Sequence, residues 1–304
     1  MERKKVTLPE IQRKKEMGEP ITMLTAYDVS TARAVDQAGI DMILVGDSYG
    51  MVVLGYDTTV PVTMEQMLTA AQAVARGAKN PLLIGDLPFL AYQVNAEEAI
   101  RNAGRFIKEA NMDAVKLEGG REIAPTVRAI TNAGIAVMGH VGLTPQSVSK
   151  LGGWRTQGTT AQAARKLLDD ALALQDAGAF AVVLEKVPDR LAELVTQRLQ
   201  IPTIGIGAGV HCDGQVLVTH DLLGLFDRFV PKFAKQYAKL YPLMLEALSE
   251  YKREVDTRAF PAPEHSFPIK DAEWDAFLKA LDEERETHAT NTFDPTADTE
   301  RVYG

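Results

Sequence analysis

The chain has 304 residues, 46% hydrophobic and 24% charged, which is enough apolar material for a large core. Its net charge of -8 argues against the basic stripe a nucleic-acid surface needs, and its single cysteine, Cys212, excludes an intrachain disulfide. No run reaches the roughly 18 uninterrupted apolar residues of a membrane span.

The first twenty residues, MERKKVTLPEIQRKKEMGEP, are charged throughout and lack the apolar core of a secretory signal. With the lone cysteine they point to the cytoplasm. The first apolar run, ITMLTAYD, starts at Ile21, and Ser30-Thr31 open a helix that stops at Gly39. MILVGDS follows from Met42, and Thr63 opens the helix MEQMLTAAQAVARG. PLLIGDLP begins at Pro81, and Asn95 opens AEEAIRNAGRFIKEA. AVKLEG starts at Ala114 and IAVMGHVG at Ile135, before a helix opened by Thr160 and closed by Gly178. AFAVVLEKV, IPTIGIGAG and GQVLVTHD follow from Ala179, Ile201 and Gly214.

These eight runs are nearly continuously apolar, the pattern of strands buried on both faces of a parallel sheet. Eight β-α units over roughly 230 residues predict an α/β (β/α)8 TIM-type barrel. A doubly wound sheet would want a Gly-rich turn after the first strand, and TAYDVSTA is not one. The barrel is expected over residues 1–258 and an acidic C-terminal extension over 259–304. The extension opens on the proline-rich FPAPEHSFP, and from Lys270 onward it holds ten acids against four bases. AEWDAFLKALDEERE reads as a helix with Trp274, Phe277, Leu278 and Leu281 on one face. The polar stretch from Thr287 is expected to be disordered.

Asp47, Asp86, Glu118 and Glu185 each close one of these runs. Asp28 ends the first run and His140 the fifth. In a parallel barrel, strand C-termini surround the active site, so these groups are expected to converge. One acid at a strand end is more often a helix cap or a loop partner, but four raise the functional reading. Asp47, Asp86 and Glu118 are hard oxygen ligands that suit Mg²⁺, and the chain lacks a Cys/His set for structural zinc. Lys116 shares the strand face of Glu118 and offers compensating charge. His140 alone reads more simply as a hydrogen-bonded structural histidine. The GIGAG segment at Gly205 lacks full dinucleotide-loop spacing and reads as a close chain passage over the barrel mouth. Cys212 reads as packing.

Several long blocks, in order, resemble the ketopantoate hydroxymethyltransferase family. They are LTAYDVSTARAVDQAGIDMILVGDSYGMVVLGYDTTVPVTMEQM, LIGDLPFLAY, AVKLEGG, VMGHVGLTPQSVSKLGG and IPTIGIGAGVHCDGQVLVTHDLLG, and the similarity runs from about Leu8 to Leu248. The resemblance implies a (β/α)8 barrel of the phosphoenolpyruvate/pyruvate group. It implies transfer of a hydroxymethyl group from 5,10-methylenetetrahydrofolate to 3-methyl-2-oxobutanoate, giving ketopantoate for pantothenate synthesis. It assigns Mg²⁺ to Asp47, Asp86 and Glu118, and keto-acid contacts to Asp47, Ser48, Asp86 and Lys116. Glu185 matches the proton acceptor; His140 either hydrogen-bonds near the substrate or orients a loop. A homo-oligomer is implied, a decamer in many members, with no nucleic-acid or membrane partner. Trp154 and Thr156 depart from the tyrosine and valine that many members carry. Two alternatives stand beside this reading. One is a Mg²⁺-dependent lyase of the phosphoenolpyruvate mutase/isocitrate lyase group, although the chain lacks that group's K-(K/R)-C-G-H string. The other is a non-catalytic barrel.

Overall fold

A computed structural model describes residues 3–290. In chain order the elements are α1 (Leu8–Met17), β1 (Ile21–Thr25), α2 (Val29–Gln37), β2 (Met42–Val45), α3 (Tyr49–Val52) and α4 (Met64–Gly77). Next come β3 (Leu82–Asp86), α5 (Ala96–Ala110), β4 (Ala114–Glu118), α6 (Ala124–Asn132), β5 (Ala136–Gly142) and α7 (Ala161–Asp176). Last are β6 (Ala181–Glu185), α8 (Asp189–Arg198), β7 (Thr203–Ile206), β8 (Gly214–Leu217), α9 (Thr219–Leu223), α10 (Leu240–Asp256) and α11 (Asp271–Thr290). Each of the eight apolar runs is a strand. All pair in parallel and in sequence order, and β1 pairs with β8 to close the barrel.

Side-chain alternation sorts the strand residues into two cores. Met42, Leu44, Leu82, Ile84, Ala114, Met138, Ala181 and Val183 point into the barrel. Ile43, Leu83, Val115, Leu117, Val137, Val182 and Leu184 point out against the helices. The same alternation turns Asp86, Lys116, Glu118, His140 and Glu185 inward at the strand ends. Outward-facing glycines let helices press against the strands beside these groups. A Cβ on Gly85 would lie 2.3 Å from the Phe106 ring of α5, and one on Gly139 would lie 2.7 Å from Leu174 of α7. Gly85→Ala is therefore expected to cost about 1–3 kcal/mol by overpacking, read as a lower midpoint in urea unfolding. An unchanged midpoint would show that Phe106 relaxes freely.

Helix starts at Thr63, Asn95 and Thr160 follow the sequence signals, with Thr63 and Gln66 completing a capping box. Other helices escaped the pattern. In α1, Leu8 and Ile11 are nearly the only apolar residues among charges, yet Ile11 is fully buried with the barrel's inner residues and seals its N-terminal end. The eight expected β-α units imply helices such as α6 and α8, but no signal gave their spans, nor those of α3, α9 and α10. The described chain divides into two compact units between Pro242 and Leu243. In the second unit α11 covers the predicted helix and continues to Thr290, past the start of the predicted disorder at Thr287. The remainder of that stretch, 291–304, lies outside the described residues. No helix of the described residues is long and apolar enough to cross a membrane.

Candidate active site

One cavity of about 560 Å³ opens at the C-terminal ends of the strands. It is bordered by Asp47, Ser48, Asp86, Lys116, Glu118, His140 and Glu185, so all of these predicted residues reach it. Asp28 does not. Its carboxylate accepts from the backbone N–H groups of Ser30 and Thr31 and from the Thr31 hydroxyl, capping α2. The expectation that it joins the acidic ring is corrected: a short acid just before a helix finds three local donors before it can reach the barrel axis. It also displaces Ser30-Thr31 as the start signal of α2.

Strand register makes the central pairs. Asp86 on β3 is in register with Lys116 on β4, and Glu118 with His140 on β5. The Lys116 ammonium lies 2.8 Å from Asp86 Oδ1, 3.9 Å from Glu118 Oε1 and 3.3 Å from His140 Nδ1. His140 bridges two acids, with Nδ1 3.5 Å from Glu118 Oε1 and Nε2 3.3 Å from Glu185 Oε2. Asp47 lies beyond the end of β2, and a turn brings it in. Its backbone N–H donates to Asp86 Oδ2 at 3.1 Å. The neighbouring Ser48 hydroxyl is 2.8 Å from the Tyr27 hydroxyl.

Burial and mutual repulsion set the protonation states. Burial, then the charges of Asp86 and Glu118, push the Asp47 carboxyl well above the usual carboxylate range. Burial also lifts Asp86; the Lys116 charge opposes that rise and Glu118 adds to it. Burial would raise Glu118 too, but its contact with His140 and the Lys116 charge hold it below its ordinary value. Burial and Lys116 work against a charged His140, yet Glu118 and Glu185 outweigh them and push the imidazole up to about 9. His140 is therefore cationic at neutral pH and sits between two acids.

A residue without an assigned role completes the floor. Gln146, in the turn after β5, donates from Nε2 to Asp47 Oδ2 (3.0 Å) and to the Leu87 carbonyl (2.9 Å). Its backbone N–H donates to Glu118 Oε2 (3.0 Å), and its Oε1 accepts from the Tyr92 hydroxyl (2.8 Å). One residue thus holds two of the acids, Asp47 through its side chain and Glu118 through its backbone. An uncharged side chain in a loop gives no sequence signal of such a role. Gln146→Leu leaves buried partners unsatisfied and is expected to cost about 1–3 kcal/mol in urea unfolding. A loss under about 0.5 kcal/mol would show that Gln146 is not needed to satisfy them.

Among the described residues no three acidic, imidazole or thiol groups form a ready-made metal cage. Lys116, His140 and Gln146 stand between the acids instead. Cys212 is buried beside Gly205, away from this cavity, as packing would have it. A Cβ on Gly207 would come 2.9 Å from the Phe233 ring, so the GIGAG segment does let chain pass closely over the mouth.

A family profile described as "Ketopantoate hydroxymethyltransferase" matches residues 5–263. A protein of Heliobacterium modesticaldum named 3-methyl-2-oxobutanoate hydroxymethyltransferase is 57% identical over 268 residues, 88% of this chain and 97% of its own. One of the same name from Chloroflexus aurantiacus is 53% identical, covering 93% of this chain and all of the relative. Among solved structures, a phosphonopyruvate hydrolase in complex with oxalate and Mg²⁺ superposes with a TM-score of 0.56 at 14% identity, over 91% of this chain and 98% of that one. A 2,3-dimethylmalate lyase gives 0.52 at 14% identity, over 93% and 98%. At that identity the structural likeness speaks for the barrel alone.

Proposed function

The chain belongs to the ketopantoate hydroxymethyltransferase family, and from that premise we propose that it transfers a hydroxymethyl group from 5,10-methylenetetrahydrofolate to 3-methyl-2-oxobutanoate, giving ketopantoate. The observation that carries this reading is the single cavity that joins an acid-lysine cluster to Glu185 through His140.

The donor set fits a hard divalent cation. Asp47 and Asp86 are buried carboxylates joined through a backbone hydrogen bond, and Asp86 is among the charges that raise Asp47. A cation would relieve that repulsion. Mg²⁺ is commonly held by one or two carboxylates with water and substrate oxygens rather than by an all-protein cage. Asp47, Asp86 and Glu118 are the residues proposed to hold it. Bound there, it would supply Lewis-acid stabilisation of charge on the keto oxygen.

The chain's own groups do the rest. Lys116 and the Ser48 hydroxyl border the cavity and orient the substrate's polar end. Glu185 takes the C3 proton. His140 Nε2, 3.3 Å away, holds the Glu185 carboxylate in place. The C3 carbanion, delocalised into the keto group, forms a carbon–carbon bond to the one-carbon unit; water supplies the hydroxyl oxygen, the bonds to the two folate nitrogens break, and tetrahydrofolate leaves with the C3 proton and one water proton on those nitrogens. Purified protein with Mg²⁺ should form ketopantoate from the keto acid in a folate-dependent assay; no product with active cosubstrates would overturn the reading. The reading carries with it a cytoplasmic enzyme, supported by its single buried cysteine. It also carries a homo-oligomer, supported by large apolar side chains such as Leu243, Leu245 and Leu248 exposed on α10.

A further inference from the structure

The acidic floor accounts for only part of the cavity. At about 560 Å³ the space is in the range of sites for drug-sized ligands, more than a five-carbon acid requires. Across the barrel from β4, around β7 and β8, its lining changes to Ile206, Val216 and Val218, with Phe226, Phe229 and Phe233 beyond them. Two charged groups, Lys232 and Asp221, interrupt this apolar wall. Asp221 is 8% exposed and borders the cavity, yet none of the described residues hydrogen-bonds or ion-pairs with its side chain. Burial pushes it up to about 6, so it is still ionised at neutral pH. A buried, charged acceptor with no protein donor is costly, and buried polar groups are nearly always satisfied. The missing donors are expected from a ligand.

The neighbouring aromatics define the shape of that ligand. Phe226 and Phe229 meet edge to face at 5.4 Å. Phe233 is seated against Gly207, where no side chain could fit. Aromatic rings favour a flat heterocycle, and a carboxylate pairs best with two parallel N–H groups. A pterin has both features: a bicyclic ring and an amino-amidine edge. We infer that Asp221, with Phe226, Phe229 and Phe233, forms the subsite for the pterin ring of the one-carbon donor, the Asp221 carboxylate accepting from the ring's amino-amidine edge. This rests on the folate-dependent transfer proposed above.

The test is Asp221→Asn in the full-length protein, titrated with tetrahydrofolate by calorimetry in the presence of Mg²⁺ and keto acid. Loss of a charge-assisted pair should raise Kd about tenfold or more, and the KM for methylenetetrahydrofolate should rise in parallel. Folate-free exchange of the keto-acid C3 proton should stay within about twofold of the parent, which also shows that the variant is folded. An analogue lacking the 2-amino group should bind parent and variant alike, because the partner of Asp221 is then absent from both. Equal tetrahydrofolate affinity of parent and variant would overturn the subsite alone. Loss of C3 exchange in the variant would overturn it too, placing Asp221 in the keto-acid half. A parent that exchanges the C3 proton but binds no tetrahydrofolate would overturn the transfer reading together with the subsite.

Discussion

Glu185→Gln is expected to slow exchange of the keto-acid C3 proton by about 10²–10⁴-fold, the usual contribution of a positioned general base. The substitution keeps the size of the side chain and removes its charge. Glu185 is 14% exposed at the inner end of β6, so glutamine occupies the same position without leaving a hole. The His140 Nε2–H keeps an oxygen to face, now that of the glutamine amide. The Asp86–Lys116 pair and the Gln146 bonds to Asp47 and Glu118 do not involve it. Keto-acid affinity should therefore change little while kcat collapses. Loss of the C3 proton signal in deuterated buffer reads this directly. Exchange at the parental rate would mean that another group removes the proton.

Asp86→Asn should weaken Mg²⁺-dependent binding of the keto acid by about 100-fold or more, beyond the loss seen when only an outer-shell partner of a metal ligand is changed. Asp86 is the hub of the acidic side. Its Oδ1 meets Lys116, and its Oδ2 accepts from Asp47. Asparagine preserves the volume but takes away the charge that both Lys116 and a divalent cation would pair with. Asp86→Ala should go further, because it strands a buried ammonium, and breaking such a pair costs about 3–5 kcal/mol. Calorimetry with and without Mg²⁺ separates the two effects, since the asparagine variant should remain folded. Unchanged Mg²⁺-dependent affinity in that variant would remove Asp86 from the metal side.

Strand order, barrel closure and the inward set Asp86, Lys116, Glu118, His140 and Glu185 were all legible because one physical regularity governs them. Residues of a strand alternate faces, and both faces of these strands are buried. An acid at the inner end of an apolar run therefore declares its direction. Asp28 and Gln146 lay beyond that rule. Asp28 sits at a run's end like the others, but a helix starts directly after it and supplies donors at local distance. Gln146 lies in a turn where no period operates, and its value comes from Asp47, Leu87, Tyr92 and Glu118, distant in the chain. Helix α1 was hidden because two apolar residues among charges carry little pattern, although they plug the barrel's end.

The sequence by itself determined the barrel, the strand ends that carry chemistry and the family, through hydrophobic period and long ordered blocks. Only the tertiary structure decided who pairs with whom. Register between neighbouring strands set Lys116 against Asp86 and His140 between Glu118 and Glu185. A turn beyond β2 brought in Asp47, and closure of β8 onto β1 left Asp221 on the far wall, unpaired among the described residues. Distances and burial between residues far apart in the chain are properties of packing. They fix charge, and charge decides the roles that strand-end position leaves open.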